Sequence, residues 1–205
     1  MLAIPEMRIK EALEAGFRSI ANNNAVLDDV FANYPDALRL EAKQYLAENK
    51  IEVLLNWPRE GQTQPCVAIV NAGEAEAPDK DVLGDFLEEV AVLGGDADLT
   101  AYEGIALNGT YQMLVLTKDP RLAVYMTYVV FTLLVLSRDN FLSAGMHNIV
   151  LNASDLRFEE QLLPEFSNSR MVTLTCMHYH AVPVTERLLT MLNVDVRLQL
   201  SVETP

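Results

Sequence analysis

The segment RLAVYMTYVVFTLLVLSRDNFLSAG, Arg121 to Gly145, decides how the rest of the chain is read. From Ala123 to Leu136 it holds 14 residues without a charge, closed off by Arg121 and Arg138. A membrane-spanning helix needs about 20 consecutive apolar residues, so the run is too short, and Tyr125, Thr127, Tyr128 and Thr132 lie inside it. Its ends carry helix signals. Asp119 is an N-cap residue, and Pro120 takes the first helical position, where a missing N–H costs nothing. Gly145 stands where a left-handed C-terminal cap belongs. The β-branched and aromatic content of YVVFTLLV would suit a strand, but a strand of about 25 residues would be unusual. The segment predicts one long helix over about residues 120–144, roughly 37 Å at 1.5 Å per residue. Its first half is apolar nearly all round, which predicts burial against a sheet on one side and a neighbouring subunit on the other.

Strand patterns flank this helix. GTYQMLVLT (109–117) runs straight into it, and MHNIVLNASDL follows it as a strand and a turn. RMVTLTCMHYHAV (170–182) is a further strand, interrupted by Pro183. The tail VDVRLQLSVE (194–203) alternates apolar and polar residues as a half-buried antiparallel strand does. Ahead of it, IEVLLNW (51–57) and CVAIVNA (66–72) read as strands joined by a hairpin loop at 62–65. GEAEAPDKD (73–81) reads as an acidic, exposed loop. The first third is helical. Ile9, Leu13, Phe17 and Ile20 recur at helical spacing after Pro5, and the asparagines of ANNN cap a short helix near 25–31. A third helix after Pro35 carries Leu38, Ala42, Tyr45 and Leu46. The predicted class is α+β: an N-terminal helical segment (1–50), then a core domain (51–205) with a mostly antiparallel sheet packed on the long helix.

Composition narrows the function classes. Half of the 205 residues are hydrophobic, enough for a substantial core. The net charge is −14, which argues against nucleic-acid recognition by a basic surface. Two cysteines and a charged N-terminus without a signal peptide predict cytoplasmic synthesis and two free thiols.

Few residues suggest chemistry. In CMHYH, Cys176, His178 and His180 share one face of a strand, and these residue types bind zinc. That arrangement supports an alternative reading as a metal-binding protein or hydrolase. No CxxC or HxxxH spacing accompanies it, and a sheet face running out of the core would present the same residues. Asp96 and Asp98 in GGDADLT lack the remaining ligands of a calcium loop. There is no GxSxG, no phosphate-binding Walker loop and no GxGxxG after a strand. The expectation is a protein that is not an enzyme and holds no cofactor.

The order GTYQMLVLTKDPRLAVYMTYVVFTLLVLSRDNFLSAGMHNIVLNASDL, continued by Pro164 and the strand from Arg170, resembles structural proteins of the neck and tail of tailed bacteriophages. The shared pattern is a strand, the polar turn 117–120, a long helix closing at 142–146, a strand with the turn 152–156, a proline-containing connection and a last strand. It covers roughly residues 51–175 and is architectural. The resemblance implies a virion structural protein of the head-to-tail connection: a neck, gateway or tail-terminator subunit that is made in the host cytoplasm. It implies a homo-oligomeric ring, hexameric or dodecameric, touching other phage neck, tail tube and sheath proteins. Genome DNA would pass without specific binding, and no membrane is involved. The expected subunit interface is the outer face of the long helix, at Tyr125, Tyr128, Val129 and Leu136. The expected partner and lumen loops carry Glu74, Glu76, Asp79, Asp81, Asp96, Asp98 and Glu103.

Overall fold

The computed structural model of the protein describes residues 4–57, 64–77, 102–155 and 168–183. Three helices come first: α1 (Pro5–Asn22), α2 (Val26–Val30) and α3 (Asp36–Glu48). Then come β1 (Glu52–Leu55), β2 (Cys66–Glu76), β3 (Tyr102–Thr117), α4 (Pro120–Leu136), α5 (Arg138–Ser143), β4 (His147–Asp155) and β5 (Asn168–Pro183). The five strands form one mixed sheet in the order β1-β2-β3-β5-β4. The α+β class is as the sequence predicts.

α1 forms where the apolar residues recur every three to four positions. Ile9, Leu13, Phe17 and Ile20 are all buried, and burying a side chain of this size contributes roughly 1.5–3 kcal/mol. They join Val67, Ile69, Tyr111, Met113, Val172 and Leu174 in one core, together with the inner side of α4. The N-terminal helices therefore share the sheet's core. A smaller cluster of Ala68, Val70 and Leu114 lies on the other face of the sheet.

α4 starts as its cap residues predict. Asp119 accepts from the N–H of Arg121 at 2.7 Å and of Leu122 at 3.4 Å, which supplies two orphan donors of the first turn. The predicted single helix is divided, however. Ser137 stands at φ −88°, ψ 2°, its N–H shared between the carbonyls of Leu133 and Val135, and α5 restarts at Arg138. At the far end Gly145 takes φ +88°. Its N–H donates to Leu142 O, and Met146 N–H reaches back to Phe141 O at 2.9 Å, with Phe141 and Met146 both buried. That is the paired hydrogen-bond pattern of a Schellman cap, and a left-handed residue there favours glycine.

Three further expectations are corrected. β1 and β2 run parallel, with Glu52 opposite Cys66 and Leu55 opposite Ile69, so the two strands are not the hairpin predicted with its loop at 62–65. Asn56 turns the chain with φ +87°, and its N–H joins Ile69 O at 2.8 Å. Nor does β2 end at Ala72. It continues to Glu76 past a bulge between Asn71 and Gly73, the latter at φ +147°. Glu74 and Glu76 therefore lie on a strand, not in an acidic loop. β3 begins at Tyr102 rather than Gly109, which puts Glu103 on a strand as well. The predicted strand 194–203, Gly94–Gly95 and residues 157–166 lie outside the described residues, as do Asp79, Asp81, Asp96 and Asp98. No helix among the described residues is long and apolar enough to cross a membrane.

Candidate assembly surface and the buried polar cluster

The expected interface residues separate on inspection. Tyr125 and Val129 are buried, because α1 to α3 fold back over that side of α4. The sheet and the chain's own helices cover what the all-round apolar pattern assigned to a neighbouring subunit. Tyr128 is half-buried, and only Leu136 is largely exposed, at 71%.

The outward stripe of α4 lies elsewhere. Arg121, Val124, Tyr128, Phe131 and Val135 recur at alternating spacings of three and four, which keeps them on one helix face. Val124 and Val135 are each more than two-fifths exposed. The first four line an open trough of about 770 Å³, walled by Tyr34 and Leu38 on one side and by Ala153 and Arg170 on the other. Rings build its floor. Phe31 stacks on Tyr128 with centroids 5.4 Å apart, and Tyr34 meets Tyr128 edge-on at 5.2 Å. Such pairs add about 0.5–1.5 kcal/mol beyond their burial and hold the surface rigid. At one end, Arg121 Nη1 donates to Glu41 Oε1 at 2.8 Å and the Tyr125 hydroxyl donates to Glu41 Oε2 at 3.1 Å. These bonds hold the Glu41 carboxyl below its ordinary pKa, the Arg121 hydrogen bond first. They also tie α3 to the start of α4. Outside the trough, Leu136 at the end of α4 and Asp139 and Leu142 on α5 are exposed.

The second feature is a polar cluster under α1. Cys176 and His178 do share a face of β5, as the alternation predicts, and both are buried, whereas His180 is exposed. The partners of His178 come from other strands. Its Nε2 lies 3.0 Å from the Tyr111 hydroxyl and 3.4 Å from Glu74 Oε1. The Tyr111 hydroxyl is 2.7 Å from Glu74 Oε1, so its single proton goes to the carboxylate and its oxygen accepts from His178 Nε2–H. Asn71 Nδ2 donates to Glu74 at 3.1 Å and to Glu6 of α1 at 2.9 Å, while its Oδ1 takes the Gly73 N–H.

The bulge makes this possible. Residues opposite each other in the ladder point to the same face. Asn71 faces Tyr111 in register, and the extra residue then brings Glu74, not Gly73, opposite Gly109. Gly109 is the empty place over which the Tyr111 side chain lies. A Cβ there would sit 2.4 Å from the hydroxyl. Burial pushes the Glu74 carboxyl up, but the hydrogen bonds from Tyr111 and Asn71 and the neighbouring His178 outweigh it and hold the pKa below its ordinary value. Burial pushes the Cys176 thiol up to about 12 and the Cys66 thiol up to about 11, so neither is an activated nucleophile.

Among the described residues, no three of His, Cys, Asp and Glu come together as a metal-ligand set. His147 stacks edge-on with Tyr179, away from His178. Sequence reading missed Glu74 and Tyr111 as partners of the histidine. The spacing Asn71-Ala72-Gly73-Glu74 holds the only signal, a glycine at a potential bulge.

Compared with known proteins, the chain matches no family model and no curated protein.

Proposed function

We propose that the protein is a virion structural subunit of the head-to-tail connection of a tailed phage: a neck, gateway or tail-terminator protein. It self-assembles into a hexameric or dodecameric ring between the portal or collar and the tail tube. The observation that carries the reading is the apolar stripe of α4 in its aromatic trough, with Val124, Val135 and Leu136 facing water in the lone chain. Contiguous exposed apolar surface of this kind marks an interaction site, and a subunit of an assembly covers it. The place in the virion rests on the resemblance of residues 51–175 to phage neck and tail proteins. The net charge of −14 supports it, since an acidic ring lets DNA pass without holding phosphate. On this reading the protein works by docking rather than by catalysis, and its neighbours are other neck, tube and sheath proteins.

Light scattering over a concentration series, with negative-stain images of the same samples, tests it. The expected result is a closed ring, or a smaller species that closes into one on purified phage tail tubes. A monomer at every concentration that joins no tube overturns the reading.

A further inference from the structure

The outer edge of β4 is open. The strand pairs with β5 on one side and stands last in the sheet order, so among the described residues no strand lies on its other side. From Val150 to Asp155 the register is continuous, and over that stretch the usual protections of an edge are absent. HNIVLNASD (147–155) has no lysine and no proline, and its carboxylate, Asp155, is taken by Arg170 at 2.9 Å. The bulge lies at its start, where Arg138 Nη2 donates to Ile149 O at 2.8 Å. Val150 is 61% exposed, and residues 152–155 are exposed as well. The two faces of the strand differ. Ile149 belongs to the core and Leu151 lies half-buried at its rim, whereas Asn152 and Ser154 alternate onto the other face. A strand added to this edge would fit with apolar residues beside Ile149, Leu151 and Ala153 and polar ones beside Asn152 and Ser154.

The chain carries a segment of that pattern. Beyond Pro183, outside the described residues, it continues through residues 184–205. Within them VDVRLQLSVE (194–203) alternates apolar and polar positions over a length that matches β4. The place where this tail departs favours a neighbouring copy as its acceptor. Met177 stands opposite His147, and β5 then runs on through residues 178–183 paired with β3 alone. The tail therefore sets out about 20 Å past the start of β4, heading away from it. Residues 184–193 span about 33–36 Å when extended, enough to cross to a second copy without turning back. From the open edge, the matching alternation and this exit we infer that residues 194–203 of one copy add as a strand to the outer edge of β4 in the next. The inference rests on the self-assembly reading and makes it specific. A tail given to one neighbour and an edge offered to the other make a heterologous contact, the kind from which rings close. The contact leaves the α4 trough free for another partner.

Crosslinking of the full chain tests it. Asn152→Cys puts a thiol on the edge and Gln199→Cys puts one on the polar side of the tail, while Cys66 and Cys176 are buried. The two singly substituted chains, co-expressed and treated with a short bismaleimide, should give a two-chain product that neither gives alone. A chain carrying both changes should link to other copies. If it links only within itself, the tail covers its own β4 and the inference is wrong. If no link forms in either sample, the tail does not meet β4. Sedimentation equilibrium supplies the second readout. Leu198→Asp with Leu200→Asp charges the apolar side of the tail and should weaken association at least about tenfold. If the wild type associates and this variant keeps the same dissociation constant, the contact is wrong while self-assembly stands. A wild type that never associates removes both readings.

Discussion

Tyr111 reaches Glu74 across the bare flank of Gly109, hydroxyl to carboxylate at 2.7 Å, and this one contact satisfies polar groups on three strands. Removing the hydroxyl takes a donor from Glu74 and leaves buried His178 Nε2 only the longer contact to Glu74, at 3.4 Å. Tyr111→Phe is therefore expected to lower the unfolding free energy by about 1–3 kcal/mol in urea. Gly109→Ala, whose new Cβ displaces the hydroxyl, should break the same bonds. Two variants as stable as the wild type would mean that the cluster contributes nothing.

The same carboxylate gives a pH signature. The pKa of Glu74 is lowered in the folded state, so its contribution is present above the unfolded value of about 4.3 and disappears as pH falls through the folded value. Glu74→Gln should be less stable than the wild type at pH 7 and lose less on acidification below about pH 4.3. Glu41 and Asp119 are also held low, so some acid lability persists in the variant. Parallel stability–pH curves for the two proteins would contradict the assignment.

Gly16 of α1 faces Leu133 of α4, and a Cβ there would lie 2.4 Å from Leu133 Cδ2. Alanine for glycine inside a helix ordinarily gains about 0.5–1 kcal/mol. Here overpacking should reverse the sign, with a net loss of about 1 kcal/mol or more. In a Leu133→Ala background Gly16→Ala should become stabilising again. A double-mutant cycle with no coupling would mean that Gly16 and Leu133 are not in contact.

The two thiols give a test of burial. Cys66 and Cys176 are buried and their thiols are pushed up to about 11 and about 12. At pH 8 the folded protein should react with a thiol reagent only slowly, and both cysteines should react at once in denaturant. Rapid labelling of the native protein would show that the core opens readily.

Much of the fold can be read from periodicity and punctuation. The inward face of α1, the Asp119–Pro120 start and the Gly145 stop follow from local chemistry that tertiary packing did not override. What escaped reading is non-local. A helix apolar all round declares that it is covered but not by what, and Tyr125 and Val129 proved to be covered by the chain's own N-terminal helices. The acidic composition of Gly73–Asp81 suggested a loop, because strand pairing can carry charges wherever one face is wet. The parallel β1–β2 pair and the bulge after Asn71 left only a positive-φ asparagine and a glycine as traces. The histidine face of β5 was legible, but its carboxylate partner, a hundred residues earlier, was not.

β3 and β5 are aligned over their full lengths, from Tyr102–Pro183 to Thr117–Asn168. The centre of the sheet is thus closed by chain that leaves the ribosome last among the described strands. At about 5–20 residues per second, β3 waits several seconds with one edge unpaired while α4, α5 and β4 are made. An open edge of that length invites pairing with the same strand of another nascent chain. Non-local pairing of this kind also slows refolding toward the millisecond-to-second range.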